Sequence, residues 1–403
     1  MKSEFSRRMQ TMRASSIREI LKATERPEVI SFAGGLPAPE LFPVQDILAA
    51  TERVLTEGGP AALQYGPTEG YLPLRETFAA EMRRRGVECA AEEILITTGS
   101  QQALDLIGKT FLDAGDCVLT ESPTYLAAIQ AFQAYEVRFA AMPTDEAGLV
   151  PEALPEFIER ERPKLLYTIP NFQNPTGVTL AAERRESLYE IAARYGLVVV
   201  EDDPYGMLRY AGTPIPPIKS LDREGLVIYL STISKTIAPG LRTGWAVASK
   251  EIHRKLTTAK QAADLHTSAL DQRIVCRYLA DFDSDAHVER IRRAYGERYL
   301  AMDGSLTALL PPGFSWTHPE GGMFLWVTCP ECLDTNELMH QALDRNVLFV
   351  PGQDFFPDAS GRRFMRLNFS NASPEKIREG VRRLASVCEH ALLERELATN
   401  RLG

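Results

Sequence analysis

The sequence has 403 residues, of which 44% are apolar and 25% charged, with a formal net charge of −9. A length and composition of this kind predict two or three structural units around a sizeable core, and they exclude disordered, collagenous and coiled-coil classes. The acidic balance, with no dominant Lys/Arg cluster, speaks against a nucleic-acid partner, and no apolar run approaches the roughly 18 residues of a membrane-spanning helix.

At the N-terminus, the first thirty residues alternate Arg, Glu and Ser with single apolar residues. They lack the apolar stretch of a secretory signal, so a soluble, cytoplasmic protein is expected. A short helix is expected near 16–22, and Gly34 and Gly35 mark a place where backbone can approach a ligand closely. Residues 83–85, three arginines, read as the solvated end of a helix.

From residue 90 onward, apolar runs alternate with amphipathic patterns. Strands are expected over 94–98, 117–121, 164–169, 197–201, 227–231 and 245–249. Helices are expected over 101–111, 125–134 and 181–195. Continuous apolar strands separated by helices indicate a mostly parallel sheet covered on both faces, with ligands bound at the carboxyl ends of its strands. Residues 269–309 read as helical almost throughout. Beyond them, strands over 323–327, 347–350 and 364–369 and a closing helix over 375–397 form a smaller α+β unit. The expected division is a segment 1–50 that packs with the small unit and the site, a large unit 51–290 and a small unit 291–403.

Six cysteines are too few for a disulfide framework, and Cys329-Pro330-Glu331-Cys332 has no second pair to complete a zinc site. The six histidines are scattered singly, so no metal is expected. The chemistry lies at the strand ends. Ser231-Thr232-Ile233-Ser234-Lys235 runs into Pro239-Gly240-Leu241-Arg242. A lysine in that setting suits covalent amine chemistry on a phosphorylated aldehyde, because lysine can form a Schiff base and then carry a proton. Thr232, Ser234 and Arg242 supply donors for a phosphate. In Thr98-Gly99-Ser100-Gln101, a helix start follows a strand, and its free N–H groups suit the same phosphate. Asp202, after the run Val198-Val199-Val200-Glu201, can pair with a protonated ring nitrogen, although without the lysine string helix capping by Asp202 or Asp203 explains the pattern better. Asn174, in Asn174-Pro175-Thr176-Gly177, can donate to a phenolate oxygen, while the Pro and Gly force a turn.

Together these segments resemble the class I/II aminotransferases of fold type I, which use pyridoxal 5'-phosphate, and the resemblance covers nearly the whole chain. It implies an α/β fold with a large domain built on a mostly parallel, seven-stranded-type sheet and a smaller α+β domain. It also implies that Lys235 binds the cofactor aldehyde, that Asp202 pairs with the ring nitrogen and that Asn174 and Tyr205 bind the ring's phenolic oxygen. Tyr125 is implied to stack on the ring, and Gly99, Ser100, Gln101, Thr232, Ser234 and Arg242 to hold the phosphate. Tyr65, in Gln64-Tyr65-Gly66-Pro67, is similar to a tyrosine that reaches the neighbouring subunit's phosphate, which implies a homodimer. Arg366 is similar to the arginine that clamps a substrate α-carboxylate.

The implied reaction is ping-pong transfer of an amino group from an amino acid to a 2-oxo acid such as 2-oxoglutarate, with Lys235 as covalent tether and general acid/base. The strings 15–22 and 30–43 narrow the resemblance to the 2-aminoadipate aminotransferase and kynurenine aminotransferase II-like subgroup. Arg18 is there similar to an arginine for a distal carboxylate, and Gly34 and Gly35 line the substrate. Aminoadipate, glutamate, leucine-like and aromatic donors are thereby implied. The alternatives are a lyase or decarboxylase on the same scaffold and the effector module of MocR-type regulators. For the latter, the thirty-odd residues ahead of Phe32 are too few for a winged helix.

Overall fold

The computed structural model describes residues 5–12 and 26–402. Seven segments build the main sheet: β1 (Ile94–Thr97), β2 (Cys117–Glu121), β3 (Arg138–Met142), β4 (Leu165–Thr168), β5 (Val198–Asp202), β6 (Val227–Thr232) and β7 (Gly244–Val247). Their spatial order is β1-β7-β6-β5-β4-β2-β3. β7 runs antiparallel to both β1 and β6, and the other neighbours are parallel. β1, β2, β4 and β6 are buried at every position. Strands covered on both faces need apolar side chains in both directions, which explains their unbroken Ile, Leu and Val runs.

The expected strands recur with small shifts, and several features differ. The edge strand β3 was not anticipated, because its half-exposed RFAAM run has neither continuous apolarity nor clean alternation. The helices Val44–Ala62, Leu154–Glu161, Lys250–Ala263 and Thr335–Asp344 were likewise not anticipated, and of Leu72–Arg84 only its solvated end was, at Arg83 and Arg84, while Arg85 turns inward to Asp203. The single helical stretch expected over 269–309 is two helices, Ala269–Asp281 and Ser284–Leu309. They part at Asp283, whose carboxylate accepts the Ala286 N–H at 2.9 Å and so caps the second. The apolar run 347–350 divides between two sheets. Val347–Leu348 pairs in parallel with Ile30–Ser31, while Val350–Pro351 joins the C-terminal sheet.

That second sheet is antiparallel and holds β8 (Ser315–Trp316), β9 (Phe324–Thr328), β10 (Val350–Pro351) and β11 (Phe364–Asn368) in the order β8-β9-β11-β10. The chain near residue 32 lies against it. Phe32 donates its N–H to Leu348 O and accepts the Asn368 N–H, each at 2.8 Å. The helix expected near 16–22, and with it Arg18, lies outside the described residues. No helix among the described residues is long and apolar enough to cross a membrane.

Candidate active site

The carboxyl ends of β1, β2, β4, β5 and β6 point to one side of the sheet, because these five strands are mutually parallel. The helix Gly99–Phe111 follows β1. Tyr125 follows β2, the Asn174 turn follows β4, Asp202 ends β5, and Lys235 closes a 3-10 turn after β6.

Adjacent residues on a strand face opposite ways, and the end of β5 separates two aspartates by that rule. Asp203 accepts hydrogen bonds from Arg85, from Tyr229 Oη at 3.0 Å, from Asn171 Nδ2 at 2.9 Å and from the Gly206 N–H at 2.9 Å. Burial pushes its carboxyl up, but the Arg85 charge and these donors outweigh burial and hold it below the usual range. Asp202 is equally buried and has one partner in the structure, Tyr167 Oη, which donates to Oδ2 at 2.8 Å. Its Oδ1 is buried without a hydrogen bond. Burial, partly offset by the Tyr167 bond and reinforced by the Asp203 charge, pushes Asp202 up to about 7. A buried carboxylate short of partners is unfavourable until a donor or cation meets it.

Lys235 Nζ donates to Gly35 O at 2.8 Å. Burial, then the Arg366 and Arg242 charges, pushes its ammonium down to about 8, so a useful fraction is the neutral amine near neutrality. A Cβ on Gly35 would stand 3.3 Å from Phe324 Cζ, so glycine lets this loop run close over the lysine. Gly34 beside it is buried. Arg366, on β11, donates to Asn174 Oδ1 at 2.8 Å and to Ala33 O at 2.7 Å, with its Nε unpaired. Its guanidinium lies 4.3 Å from the ring centre of Phe324 and 5.0 Å from that of Phe355. Burial draws it down to about 10, which leaves it fully charged at neutral pH. Tyr205 is raised by burial and the nearby Tyr125, with the Arg366 charge and a hydrogen bond to Asn174 opposing. Tyr125 is raised by burial and the Asp202 charge, against Arg366 and Arg242.

An anion cradle adjoins these groups. Gly99 has φ +73°, and a Cβ there would lie 2.6 Å from Arg242 Nη2, so only glycine suits the turn. Ser100 Oγ is buried without a partner, whereas Gln101 is exposed and donates to Ala127 O at 3.2 Å. Thr232 Oγ1 shares a hydrogen bond with Ser234 Oγ at 2.9 Å and donates to Thr243 O at 3.0 Å. Arg242 Nη2 donates to Thr98 O at 3.4 Å. The structure thus brings together Lys235, Asp202, Tyr205, Asn174, Tyr125, Arg366 and the cradle. Tyr65 stands apart, 79% exposed, with its ring edge-on to His266 at 5.7 Å.

The sequence reading missed Tyr167, which holds Asp202, and the Phe324 and Phe355 rings that sandwich Arg366. A tyrosine inside the apolar run Leu165-Leu166-Tyr167 was the available signal for the first, since a buried hydroxyl needs a partner. The two phenylalanines gave no signal in sequence.

Residues 27–384 match the family model for aminotransferase class I and II. The chain belongs to the class I and II aminotransferases. It is 46% identical over 394 residues to aromatic-amino-acid aminotransferase 1 of Thermococcus litoralis, a match that covers 96% of this chain and 94% of the relative. It is 48% identical over 376 residues to the 2-aminoadipate transaminase of Thermus thermophilus, a match that covers 93% of each. The crystal structure of LysN, an alpha-aminoadipate aminotransferase of Thermus thermophilus complexed with N-(5'-phosphopyridoxyl)-L-leucine, superimposes with a TM-score of 0.91. That match has 46% identity and covers 96% of this chain and 98% of the other. The protein is a fold type I, pyridoxal-phosphate-dependent transaminase that exchanges amino groups between amino acids and 2-oxo acids.

The residues present fit that cofactor. The unpartnered Asp202 Oδ1 matches a protonated ring nitrogen, and the unpartnered Ser100 Oγ at a glycine-led helix start matches a phosphate oxygen. Lys235, lowered to about 8, matches an aldehyde that requires a neutral amine.

Proposed function

We propose that this aminotransferase accepts 2-aminoadipate and glutamate, with leucine-like and aromatic amino acids as further donors, and passes the amino group to 2-oxoglutarate or a similar 2-oxo acid. One observation carries the reading of the substrate end: Arg366 is a buried, fully charged guanidinium with an unpaired Nε, near Tyr205 and Lys235. Such a group is costly to bury unless an anion meets it, and an amino acid's α-carboxylate brings that anion with the reacting carbon attached. The two relatives named for aromatic and 2-aminoadipate substrates support the breadth of side chain.

When bound, the cofactor supplies an aldehyde for the amino group and an electron-withdrawing ring. In this proposal Lys235 Nζ would be the covalent tether for the cofactor aldehyde and, once an incoming amino group has displaced it as a free amine, the general base and acid that moves the substrate α-proton. Asp202 keeps the ring nitrogen protonated, while Tyr205 and Asn174 hold the phenolic oxygen and Tyr125 covers the ring face. Gly99, Ser100, Gln101, Thr232, Ser234 and Arg242 bind the phosphate. Arg366 fixes the α-carboxylate while Gly34 and Gly35 close over it. Arg18 meets the distal carboxylate.

The assembly proposed is a homodimer in which Tyr65 serves the other subunit's phosphate. Tyr65 lies two residues from Leu63, 70% exposed, and its ring meets His266, the sequence neighbour of Leu265, 48% exposed, an apolar surface of the kind an interface can cover. All six cysteines are free thiols, the state a reducing cytoplasm maintains.

Steady-state kinetics with paired donors test the substrate reading. In Arg18→Gln, kcat/KM for 2-aminoadipate is expected to fall about tenfold or more while that for leucine holds. Equal losses, or none, would remove Arg18 from the distal role.

A further inference from the structure

Below the phosphate cradle a buried lysine pairs with a partly exposed aspartate, and neither has a part in the chemistry derived above. Lys260, in the helix Lys250–Ala263, is fully buried. Its Nζ donates to Gln102 Oε1 at 2.7 Å and to both Asp264 oxygens at 2.8 and 2.9 Å. Asp264 also accepts from Gln102 Nε2 at 2.6 Å and from Thr98 Oγ1 at 3.2 Å. The Lys260 ammonium is drawn into the interior at a desolvation cost that one partly exposed carboxylate offsets only in part, so the cluster needs another reason to be there.

The cluster converges on Thr98, the N-cap of Gly99–Phe111. The Thr98 N–H donates to Gln102 Oε1 at 2.8 Å, its hydroxyl is engaged by Asp264 and, at 3.2 Å, by Thr267, and its carbonyl accepts from Arg242. An N-cap threonine ordinarily turns its oxygen onto its own helix and satisfies one of the first N–H groups. Here the hydroxyl is held outward, and no side-chain cap bond forms. The leading N–H groups therefore remain available to an anion, beside the unpartnered Ser100 Oγ.

We propose that Lys260, Asp264 and Gln102 are positioning residues for the cofactor phosphate: they tie the N–H and hydroxyl of Thr98, so that Gly99, Ser100 and Gln101 stay fixed and uncapped. The inference rests on the phosphate-cradle reading above and adds three residues that do not touch the phosphate themselves.

The test compares two aldehydes that differ only in the phosphate. The enzyme is stripped of cofactor and titrated with pyridoxal 5'-phosphate or with pyridoxal, following absorbance. Asp264→Ala is expected to weaken pyridoxal 5'-phosphate roughly fivefold to tenfold, the worth of one N-cap hydrogen bond, while pyridoxal changes by less than about twofold. Asp264→Asn, which retains an acceptor for Thr98, is expected to stay within about threefold of the parent for both. Should the alanine variant fail to fold, the double substitution Lys260→Met with Asp264→Leu removes the anchor without stranding a charge and carries the same expectation. Equal weakening of both aldehydes, or of neither, would overturn the proposal. If the parent enzyme itself shows no preference for the phosphorylated aldehyde, the cradle reading falls first, and that outcome is distinct from loss of the cluster's role.

Discussion

Asp202 and Asp203 are adjacent carboxylates of equal burial, and their surroundings give them opposite characters. Residue type and local pattern do not separate the pair, which only the family resemblance told apart, because which one faces Tyr167 and which faces Arg85 depends on strand alternation and on residues more than thirty positions away. The difference is measurable as a pH dependence. Without cofactor, Asp202 is raised from 3.8 to about 7, so between those values the folded chain binds a proton that the unfolded chain has released. Unfolding free energy then falls as pH rises through that window. Asp202→Asn has no such proton. The stability of the cofactor-free parent relative to this variant is expected to decline from pH 5 to pH 8, read as Tm differences, and adding cofactor is expected to abolish the contribution of Asp202 to that slope, because a carboxylate paired with a cationic ring is ionised in both folded and unfolded states across the window. Glu121 and Glu201, also raised to about 7, contribute equally to both proteins and cancel in the comparison. A flat difference across the range would mean that Asp202 is ionised throughout. Lys235 stood out in sequence only through the whole string from Ser231 to Arg242, its Pro-Gly-Leu-Arg included, and the corresponding prediction is direct: Lys235→Ala is expected to lose turnover by orders of magnitude while retaining some cofactor, measured by amino-group transfer and by absorbance of the bound vitamin.

At the scale of elements, the strands that end in the site were readable because burial on both faces leaves an uninterrupted apolar signature. The edge strand β3 and the antiparallel insertion of β7 were not, since edge exposure and strand direction leave no mark in local composition. The start of Gly99–Phe111 lies between these cases: a glycine before a helix was visible, but its necessity comes from Arg242, far along the chain. Two glycines separate the contributions. Gly115 has φ +91° with open space where a Cβ would go, whereas Gly99 has φ +73° and the Arg242 guanidinium 2.6 Å away. Gly115→Ala is therefore expected to cost only the left-handed strain, about 1–2 kcal/mol. Gly99→Ala also pushes aside the flexible end of Arg242, so it is expected to cost about as much as Gly115→Ala in urea unfolding but to weaken pyridoxal 5'-phosphate, which Gly115→Ala leaves unchanged. Unchanged cofactor affinity in Gly99→Ala would show that the cradle does not depend on the close fit.

At the scale of the molecule, a single chain gathers the groups proposed for covalent tether, ring and α-carboxylate, yet leaves Tyr65 79% exposed, and Leu63 and Leu265 are exposed too. The sequence signalled that residue only through the string Gln64-Tyr65-Gly66-Pro67, because an interface leaves no periodicity of its own. If Tyr65 serves the neighbour's phosphate, defects in Tyr65 and Lys235 lie in different sites of a mixed dimer. A Lys235→Ala homodimer has no reactive amine, and a Tyr65→Ala homodimer lacks the donor at both sites. Unfolded together and refolded as an equal mixture, half the dimers are mixed, and in each of these one site combines an intact Lys235 with an intact Tyr65 from the other chain. Activity is then expected to recover to roughly a quarter of the parent value, from two sites per dimer and random pairing. If Tyr65 instead acts within its own chain, every site keeps the defect of the chain that carries its lysine. The mixture then reaches only half the activity of Tyr65→Ala alone, an outcome that would also leave the exposed apolar patch without its proposed purpose.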